Sequence, residues 1–251
     1  DSAYIDFIIV TFMFLAGTNF TMIYFGLHGQ IKKVFQNQEF RTYGIFCLVI
    51  SMFCALGIWI SGNENLIDSF RYSIFQVVSV ITTTGFVTQD YTAWTPLLTM
   101  LFFFLMFVGA SAGSTAGGIK IIRHLILVKN SFLEFNRQIH PSAVLPLRLN
   151  GKSVNGEITF QILAFVMLYL TIFALGSLGM AFLGVDLVTA IGAAATCLGN
   201  VGPGIGSVGP VANFAHVPTV GKWILSLLML LGRLELFTVL ILFTPFFWRK
   251  T

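Results

Sequence analysis

Long uncharged stretches constrain this chain more than any other feature of its sequence. Residues 7–27 and 43–61 carry no charged side chain, and each stretch is long enough to cross the roughly 30 Å hydrocarbon core of a bilayer as a helix. Overall, 56% of the residues are hydrophobic and only 10% are charged. Because unpaired backbone groups are costly in lipid, spanning segments form helices or closed barrels. We therefore expect an all-α, multi-pass membrane protein.

The basic residues lie mainly in two loops. Lys32, Lys33 and Arg41 follow the first uncharged stretch, and a second basic loop runs from position 120 to position 152. Lys and Arg in short loops are retained on the cytoplasmic side of a membrane. We interpret the net charge of +4 as a marker of orientation, with both loops inside, and we exclude nucleic acid as a partner.

A third uncharged run, Tyr72–Gln89, does not fit a span. It is broken by Thr82-Thr83-Thr84-Gly85. If it crossed the membrane, the next apolar stretch (94–119) would end outside and would place the second basic loop there, against the preference of Lys and Arg for the cytoplasmic side. A half-helix at Tyr72–Ile81 avoids this conflict, because ten helical residues reach only about 15 Å, half of the hydrocarbon core. We therefore predict a re-entrant pore loop here.

The second half of the chain repeats this plan. An outward helix at Ile158–Leu183 precedes Asp186, which is placed to cap a short re-entrant helix at Leu187–Ala195, and the last span, Pro218–Phe247, returns inside. The repeated unit is helix, re-entrant pore loop, helix. The predicted parts are residues 1–40 as the second helix of a preceding unit plus a cytoplasmic loop, 41–139 as a complete unit, 140–156 as a cytoplasmic linker and 157–251 as another complete unit. A chain that begins on a second helix is expected to be cut from a longer one.

The loop motif itself recurs. Thr82-Thr83-Thr84-Gly85-Phe86 is matched 114 positions later by Thr196-Cys197-Leu198-Gly199-Asn200. A row of backbone carbonyls, with threonine hydroxyls added, can replace the water shell of a desolvated cation, and glycine lets the backbone line the axis. Neither loop carries a carboxylate, which argues against a divalent-cation filter. We predict a filter for monovalent cations, the alternative being an ordinary extracellular turn.

A glycine-rich segment interrupts the apolar stretch after the first loop. Gly109-Ala110-Ser111-Ala112-Gly113-Ser114-Thr115-Ala116-Gly117-Gly118 admits three interpretations. Its Gly-x-Ser-x-Gly start fits the nucleophile elbow of hydrolases, but no strand is expected before Ser111 and no triad is evident. Glycines at every fourth position fit a helix-packing face. The third interpretation is an unwound, mobile segment below the filter that acts as a gate.

One charge is predicted to lie inside a span. Arg233 is midway between Pro218 and Trp248, far from any helix end from which it could reach the surface, and such a charge usually faces a cavity or a partner. Glu235 follows two residues later and is expected on another face of the helix. Because Arg233 would oppose cation passage, we pair it with the glycine-rich segment as a barrier.

Four motifs together resemble the TrkH-type bacterial potassium uptake proteins of the Trk/Ktr/HKT superfamily, with this chain similar to their C-terminal half. The motifs are Thr-Thr-Thr-Gly-Phe at 82–86, Gly-Ala-Ser-Ala-Gly-Ser-Thr-Ala-Gly-Gly-Ile-Lys at 109–120, Leu-Gly-Asn-Val-Gly-Pro-Gly at 198–204 and Leu-Gly-Arg-Leu-Glu at 231–235. The resemblance implies a potassium-channel-like pore built from four units of one polypeptide, of which this chain would hold the last two. It further implies a homodimer in the bacterial inner membrane, with a cytosolic nucleotide-binding regulatory subunit of the TrkA type on the basic face.

The resemblance also assigns roles to residues. The expected potassium ligands are Thr82, Thr83, Thr84, Gly85, Thr196, Leu198, Gly199, Asn200 and Val201. The expected gate consists of Gly109, Gly113, Ser114, Thr115, Gly117, Gly118 and Arg233. The second loop lacks two of the threonines of the first, so hydroxyl assistance would not be four-fold.

These patterns predict a transport protein and not an enzyme. The predicted activity is gated permeation of potassium, with rubidium and sodium as further candidate ions, through a filter that this chain completes with the preceding half of the same protein in a lipid bilayer. The alternative is an ion-coupled secondary transporter, in which broken helices form a midplane site. A hydrolase using Ser111 is the interpretation from the enzyme class, and the sequence offers it no base within a span.

Overall fold

A computed structural model of the chain describes residues 2–62, 64–141, 143, 145–234, 236–242 and 244–248. These residues are mostly helical, which confirms the all-α membrane fold. The helices are α1 (Ala3–Ala16), α2 (Phe20–Leu27), α3 (Ile31–Gln36), α4 (Gln38–Ile60), α5 (Leu66–Ile81), α6 (Pro96–Leu105), α7 (Ile121–Ile139), α8 (Gly156–Phe182), α9 (Leu187–Gly199), α10 (Thr219–Arg233), α11 (Leu236–Leu242) and α12 (Pro245–Trp248). A single 3₁₀ turn lies at Gly206–Val208, and four two-residue strands complete the described elements.

Among the described helices, two (α4 and α8) are long and apolar enough to cross a membrane, and the number rises to four if two bent pairs are each counted as one span. The first bent pair is α1 with α2, inclined at 111°, and the second is α10 with α11, inclined at 115°. The continuous spans predicted at 7–27 and 218–247 are therefore both broken. At the first break, Asn19 begins a new helix because its side chain accepts from Thr21 N–H, as N-cap residues do.

Two shorter helices precede the predicted loops. The 16 residues of α5 and the 13 of α9 extend about 24 Å and 20 Å, less than the hydrocarbon core. Helix α5 begins six residues before Tyr72, and α9 continues four residues past Ala195. As predicted, Asp186 caps α9, with its Oδ2 accepting from Thr189 N–H at 3.0 Å.

The apolar stretch predicted to span at 94–119 is not one helix. Helix α6 ends at Leu105, and residues 106–118, which we call the intramembrane segment, form no helix before α7 begins at Ile121. The ends of this segment are held together by β1 (Val108–Gly109), which pairs in parallel with β2 (Ile119–Lys120). On the basic loop, β3 (Arg148–Leu149) and β4 (Lys152–Ser153) form an antiparallel hairpin.

The two re-entrant helices form the centres of two apolar cores. Helix α5 packs against α1 and α4, and its valines at 77, 78 and 80 and Ile81 are buried. Helix α9 packs between α8 and α10, with its alanines at 193 and 194 and its Leu198 fully buried. The longer helices surround them and expose large apolar side chains such as Leu48, Trp59 and Phe160. An exposed apolar surface of this extent suits contact with lipid.

Candidate functional site

The first loop turns back against the end of α5. Thr83 adopts a left-handed backbone conformation (φ 53°), and Gly85 follows with φ 76°. Thr84 N–H donates to Ser79 O at 2.9 Å, and the Ser79 hydroxyl donates to Phe86 O at 2.7 Å. One helical residue therefore holds both the start and the end of the loop.

The second loop has the same geometry at the end of α9. Asn200 is left-handed (φ 58°), and Gly202 has φ 117°. Val201 N–H donates to Thr196 O at 3.0 Å, and the Thr196 hydroxyl donates to Pro203 O at 3.0 Å. Thr196 in the second loop therefore does what Ser79 does in the first.

These matching contacts place the two loops 117 positions apart, so the interval of 114 predicted from the Thr-x-x-Gly motif is wrong. The structure aligns Thr82-Thr83-Thr84-Gly85 with Gly199-Asn200-Val201-Gly202. Thr196 and Leu198, predicted as loop residues, lie inside α9 and are fully buried. The motif gave the wrong alignment because it matched Thr82, at the start of the first loop, with Thr196, a helical residue whose hydroxyl bonds to the end of the second loop. A better sequence signal for these loops is a glycine two residues after a residue that can adopt positive φ. Among non-glycine residues, Asn is enriched at positive φ.

The backbone carbonyls are the groups that the two loops leave available. Among the described residues, no hydrogen bond reaches the eight loop carbonyl oxygens of residues 82–85 and 199–202. Most buried carbonyl groups in proteins are paired. The threonine hydroxyls, in contrast, are occupied: Thr82 Oγ1 donates to Val78 O at 2.8 Å, and Thr83 Oγ1 accepts from Gly117 N–H at 2.8 Å.

The loops lie against each other. A Cβ placed on Gly85 would be 2.3 Å from Val201 O, and one placed on Gly202 would be 3.7 Å from Gly85 Cα. Further out, the buried Tyr91 hydroxyl donates to Gly204 O at 2.7 Å, which joins the outer parts of the two units. Burial raises the pKa of Tyr91 well above its usual value, so the hydroxyl keeps its proton and this bond at physiological pH.

The intramembrane segment lies beside the helical ends of both loops. Besides its bond to Thr83, Gly117 approaches the second loop so closely that an added Cβ would be 2.7 Å from Gly199 O. Gly109 packs against the backbone of Gly117, where a Cβ would be 2.1 Å from the carbonyl oxygen. The helix-packing interpretation of these glycines is therefore wrong, because the segment is not a helix.

The hydrolase interpretation gains nothing from the structure. A strand was not expected before Ser111, but the two-residue strand β1 does precede it. No helix follows directly, as a nucleophile elbow requires. Among the described residues, no hydrogen-bond partner reaches the buried Ser111 hydroxyl, so a base in contact with it is missing there.

Arg233 contacts the intramembrane segment. The sequence predicts Arg233 in the middle of a continuous span, far from any helix end, but α10 ends at this residue, so that prediction is wrong. Its Nη1 donates to Thr115 O at 2.6 Å. Glu235 lies outside the described residues. A cavity of about 270 Å³ separates the segment from α8 and α10, and Lys120, Arg123 and Arg233 contribute positive charge to its lining. Lys120 Nζ also donates to Ala116 O.

The predicted gate residues are thus brought together except for one. Gly113, Ser114, Thr115, Gly117, Gly118 and Arg233 line this cavity, whereas Gly109 lies behind them against Gly117. Four further residues of the site were not predicted from the sequence: Ser79, Gly202 and the two residues whose side chains hold the segment, Asn19 and Glu39. For the last two, the available signals were a polar residue inside an apolar stretch (Asn19) and a charged residue just before one (Glu39).

Two re-entrant helices, two loops of the same conformation and an irregular segment beside them define a membrane protein built from pore-loop units. The profile of the TrkH family, described as cation transport proteins, matches residues 46–250, and the chain belongs to this family. The family is one of membrane transport proteins and not of enzymes, and the chain is a protein of the bacterial inner membrane.

Several relatives support this assignment. The potassium uptake protein TrkH of Halomonas elongata is 36% identical over the whole of this chain and 52% of its own length. TrkI of the same organism is 38% identical over 95% of the chain and 49% of its own length. The crystal structure of the potassium transporter TrkH from Vibrio parahaemolyticus superposes with a TM-score of 0.91 at 35% identity and covers 99% of this chain and 54% of its own. The chain thus spans about half the length of the relatives it matches.

Proposed function

We propose that this chain forms half of a gated, channel-like pore that carries potassium across the bacterial inner membrane. The observation that carries the proposal is the set of eight carbonyl oxygens without a hydrogen bond, supplied by two loops of the same conformation. Relatives named as potassium uptake proteins support potassium as the ion. Rubidium, which is close in size, and sodium are further candidates.

The chemistry required is desolvation and not covalent catalysis. Carbonyl oxygens replace the water lost by the ion, and adjacent sites relay several ions through the filter. With the corrected alignment, the proposed ligands are the carbonyls of Thr82, Thr83, Thr84 and Gly85 and those of Gly199, Asn200, Val201 and Gly202. Thr196 and Leu198 are not among these ligands, because both lie inside α9, of which Gly199 is the last residue.

The gate proposed here is the intramembrane segment with Arg233. Small residues in a non-helical conformation, bonded to Arg233 and adjacent to both loops, can obstruct the path below the filter. Deleting residues 110–117 from the full-length protein should raise the basal ion flux. A reduced flux in folded protein would refute this gate.

The remaining parts of the proposal concern assembly. Two pore loops cannot surround an axis as four would, so the preceding half of the same polypeptide is proposed to supply the other two in the bilayer. A homodimer and a TrkA-type nucleotide-binding regulatory subunit on the basic cytoplasmic face complete the proposed assembly. The domain limits proposed are 41–139 and 157–251 for the two complete units.

The filter can be tested in proteoliposomes containing the full-length protein. Gly202 has φ 117°, a conformation that is essentially restricted to glycine, so Gly202→Ala should distort the carbonyl row. We expect rubidium uptake, or its selectivity over sodium, to fall at least about tenfold, equivalent to about 1.4 kcal/mol.

Gly184→Ala is the matched control. Gly184 also has positive φ (83°), but nothing lies within 4 Å of the added Cβ, so transport should be unchanged. Wild-type transport in Gly202→Ala would refute the filter. Saturable uptake that stops when a proton or sodium gradient is removed would favour the secondary transporter instead. Secondary transporters also contain broken helices, as α1–α2 and α10–α11 are here.

A further inference from the structure

The break between α1 and α2 is bonded to the intramembrane segment. Helix ends leave backbone groups unpaired, and here the segment supplies their partners. The bonded pairs, with the donor first, are Ser111 N with Gly17 O at 3.1 Å, Phe20 N with Gly113 O at 3.1 Å and Thr115 Oγ1 with Ala16 O at 3.2 Å. The break and the segment therefore form one hydrogen-bonded unit.

Two side chains hold a single residue of that segment. Asn19 Nδ2 donates to Ala112 O at 2.6 Å, and Glu39 Oε1 accepts from Ala112 N–H at 2.6 Å. Asn19 comes from the break, whereas Glu39 comes from the first turn of α4. Both backbone groups of Ala112 are therefore bonded to side chains from other elements, so the segment cannot rotate at this point without losing both bonds.

The carboxylate of Glu39 is placed for the segment and not for its own helix. Helix α4 is already capped by Asn37, whose side chain accepts from Phe40 N–H at 3.0 Å. Glu39 is only 7% exposed, and Lys120, two residues beyond the far end of the segment, also attracts its carboxylate. A hydrogen bond from an amide to a carboxylate is roughly twice as strong as one between neutral groups.

We infer that Asn19 and Glu39 form a latch that holds the intramembrane segment beside the two loops. The pair are positioning residues: neither is proposed to touch the ion, and opening requires that both bonds to Ala112 break. The inference rests on the proposed gating role of the segment, but the latch itself can be observed without transport.

The second unit offers a matched control. Glu157 follows the cap of α8, Asn155, by two residues, as Glu39 follows Asn37. Glu157 is exposed, and its carboxylate accepts from the Asn155 side chain at 3.2 Å. Glu157→Ala therefore removes a first-turn acid from an equivalent helix and leaves the latch intact.

The test compares Glu39→Ala, Asn19→Asp and Glu157→Ala in the full-length protein. Asn19→Asp keeps the oxygen that caps α2 and replaces the donor to Ala112 O by a carboxylate oxygen, which that carbonyl repels. Hydrogen exchange of peptides covering 107–118, read by mass spectrometry, should accelerate about tenfold or more in the first two variants, since protection reports local opening. Basal rubidium flux should rise in parallel, and Glu157→Ala should match wild type in both measurements. Glu39→Gln keeps an acceptor oxygen without the charge and should show a smaller acceleration.

The outcomes separate the latch from the gate. Wild-type exchange in Glu39→Ala and Asn19→Asp would overturn the latch, as would equal acceleration in Glu157→Ala. Faster exchange with unchanged rubidium flux would support the latch and refute the gating role of the segment. If Glu39→Ala does not fold, Asn19→Asp and Glu39→Gln carry the same test.

Discussion

Replacing Gly85 with alanine tests the packing of the two loops most directly. Gly85 has φ 76°, and an added Cβ would lie 2.3 Å from Val201 O. The positive φ alone costs about 1–2 kcal/mol for a residue with a side chain. The clash adds about 1–3 kcal/mol, as is typical of overpacking. The two loops must also separate by roughly 0.7 Å to restore the shortest Cβ contacts that real proteins show.

The chain contains a control that isolates the second effect. Gly62 has the same φ of 76°, but nothing lies within 4 Å of its added Cβ. Gly62→Ala should therefore lose only about 1–2 kcal/mol, whereas Gly85→Ala should lose about 2–5 kcal/mol. The difference between the two variants is the contribution of the contact between the loops.

The assay combines two measurements on the full-length protein. Thermal unfolding in detergent should show a larger decrease in midpoint for Gly85→Ala than for Gly62→Ala. In proteoliposomes, sodium should compete better with rubidium in Gly85→Ala only, because displaced carbonyls no longer fit the larger ion. Equal midpoints in the two variants, together with wild-type selectivity in Gly85→Ala, would refute the reasoning.

Three further predictions concern the supports of the loops. Gly232→Ala should lower the unfolding midpoint by an amount corresponding to about 1–3 kcal/mol, because its Cβ would lie 1.9 Å from Leu198 O, whereas Gly26→Ala, with open space around it, should be neutral or stabilising. Asp6→Asn should cost about 1–3 kcal/mol, because Arg71 Nη2 lies 2.6 Å from its carboxylate and both side chains are mostly buried; an unchanged unfolding midpoint would contradict this. Two hydrogen bonds from Thr189, the stronger from its N–H and the other from its side chain, hold the pKa of Asp186 below its ordinary value of 3.8. The stabilisation from this cap is therefore complete at neutral pH and lost as pH falls below that value, so the difference in midpoint between wild type and Asp186→Ala should shrink in acid.

Charge and length were sufficient to predict the plan of the fold. Both basic loops can be cytoplasmic only if the chain that enters the membrane at residue 72 leaves it on the same side. The apolar runs before the two loops are too short to span, so they were predicted to be half-helices. Helices α5 and α9 have that form, with Asp186 capping the second as expected. These features follow from the cost of placing charge and unpaired backbone in lipid, which a sequence displays directly.

Breaks in the spans and the alignment of the loops could not be predicted in the same way. The break at Asn19 depends on hydrogen bonds between residues distant in sequence. The turn at Asn19 is stable because Ala112 and Gly113 accept from it, and an apolar stretch carries no sign of such partners. The loop alignment depends on which helical hydroxyl donates to the end of each loop. Ser79 makes this bond in the first loop and Thr196 makes it in the second. A motif search weighted toward threonine therefore selected the wrong pair.

The left-handed residue of each loop connects that loop to a different neighbour. In the first loop, Thr83 accepts through its hydroxyl from Gly117 N–H of the intramembrane segment. In the second, Asn200 Nδ2 instead donates to Met229 O of α10 at 3.1 Å, and α10 reaches the segment through Arg233 and Thr115. A displacement of the segment would thus act on the first loop through one hydrogen bond and on the second through a helix as well as through contact with Gly117. Because these connections differ, the two loops would respond unequally to such a displacement, although their backbone geometry is the same. The difference between the Thr83 and Asn200 side chains therefore affects how each loop is coupled to the segment more than how it contacts the ion.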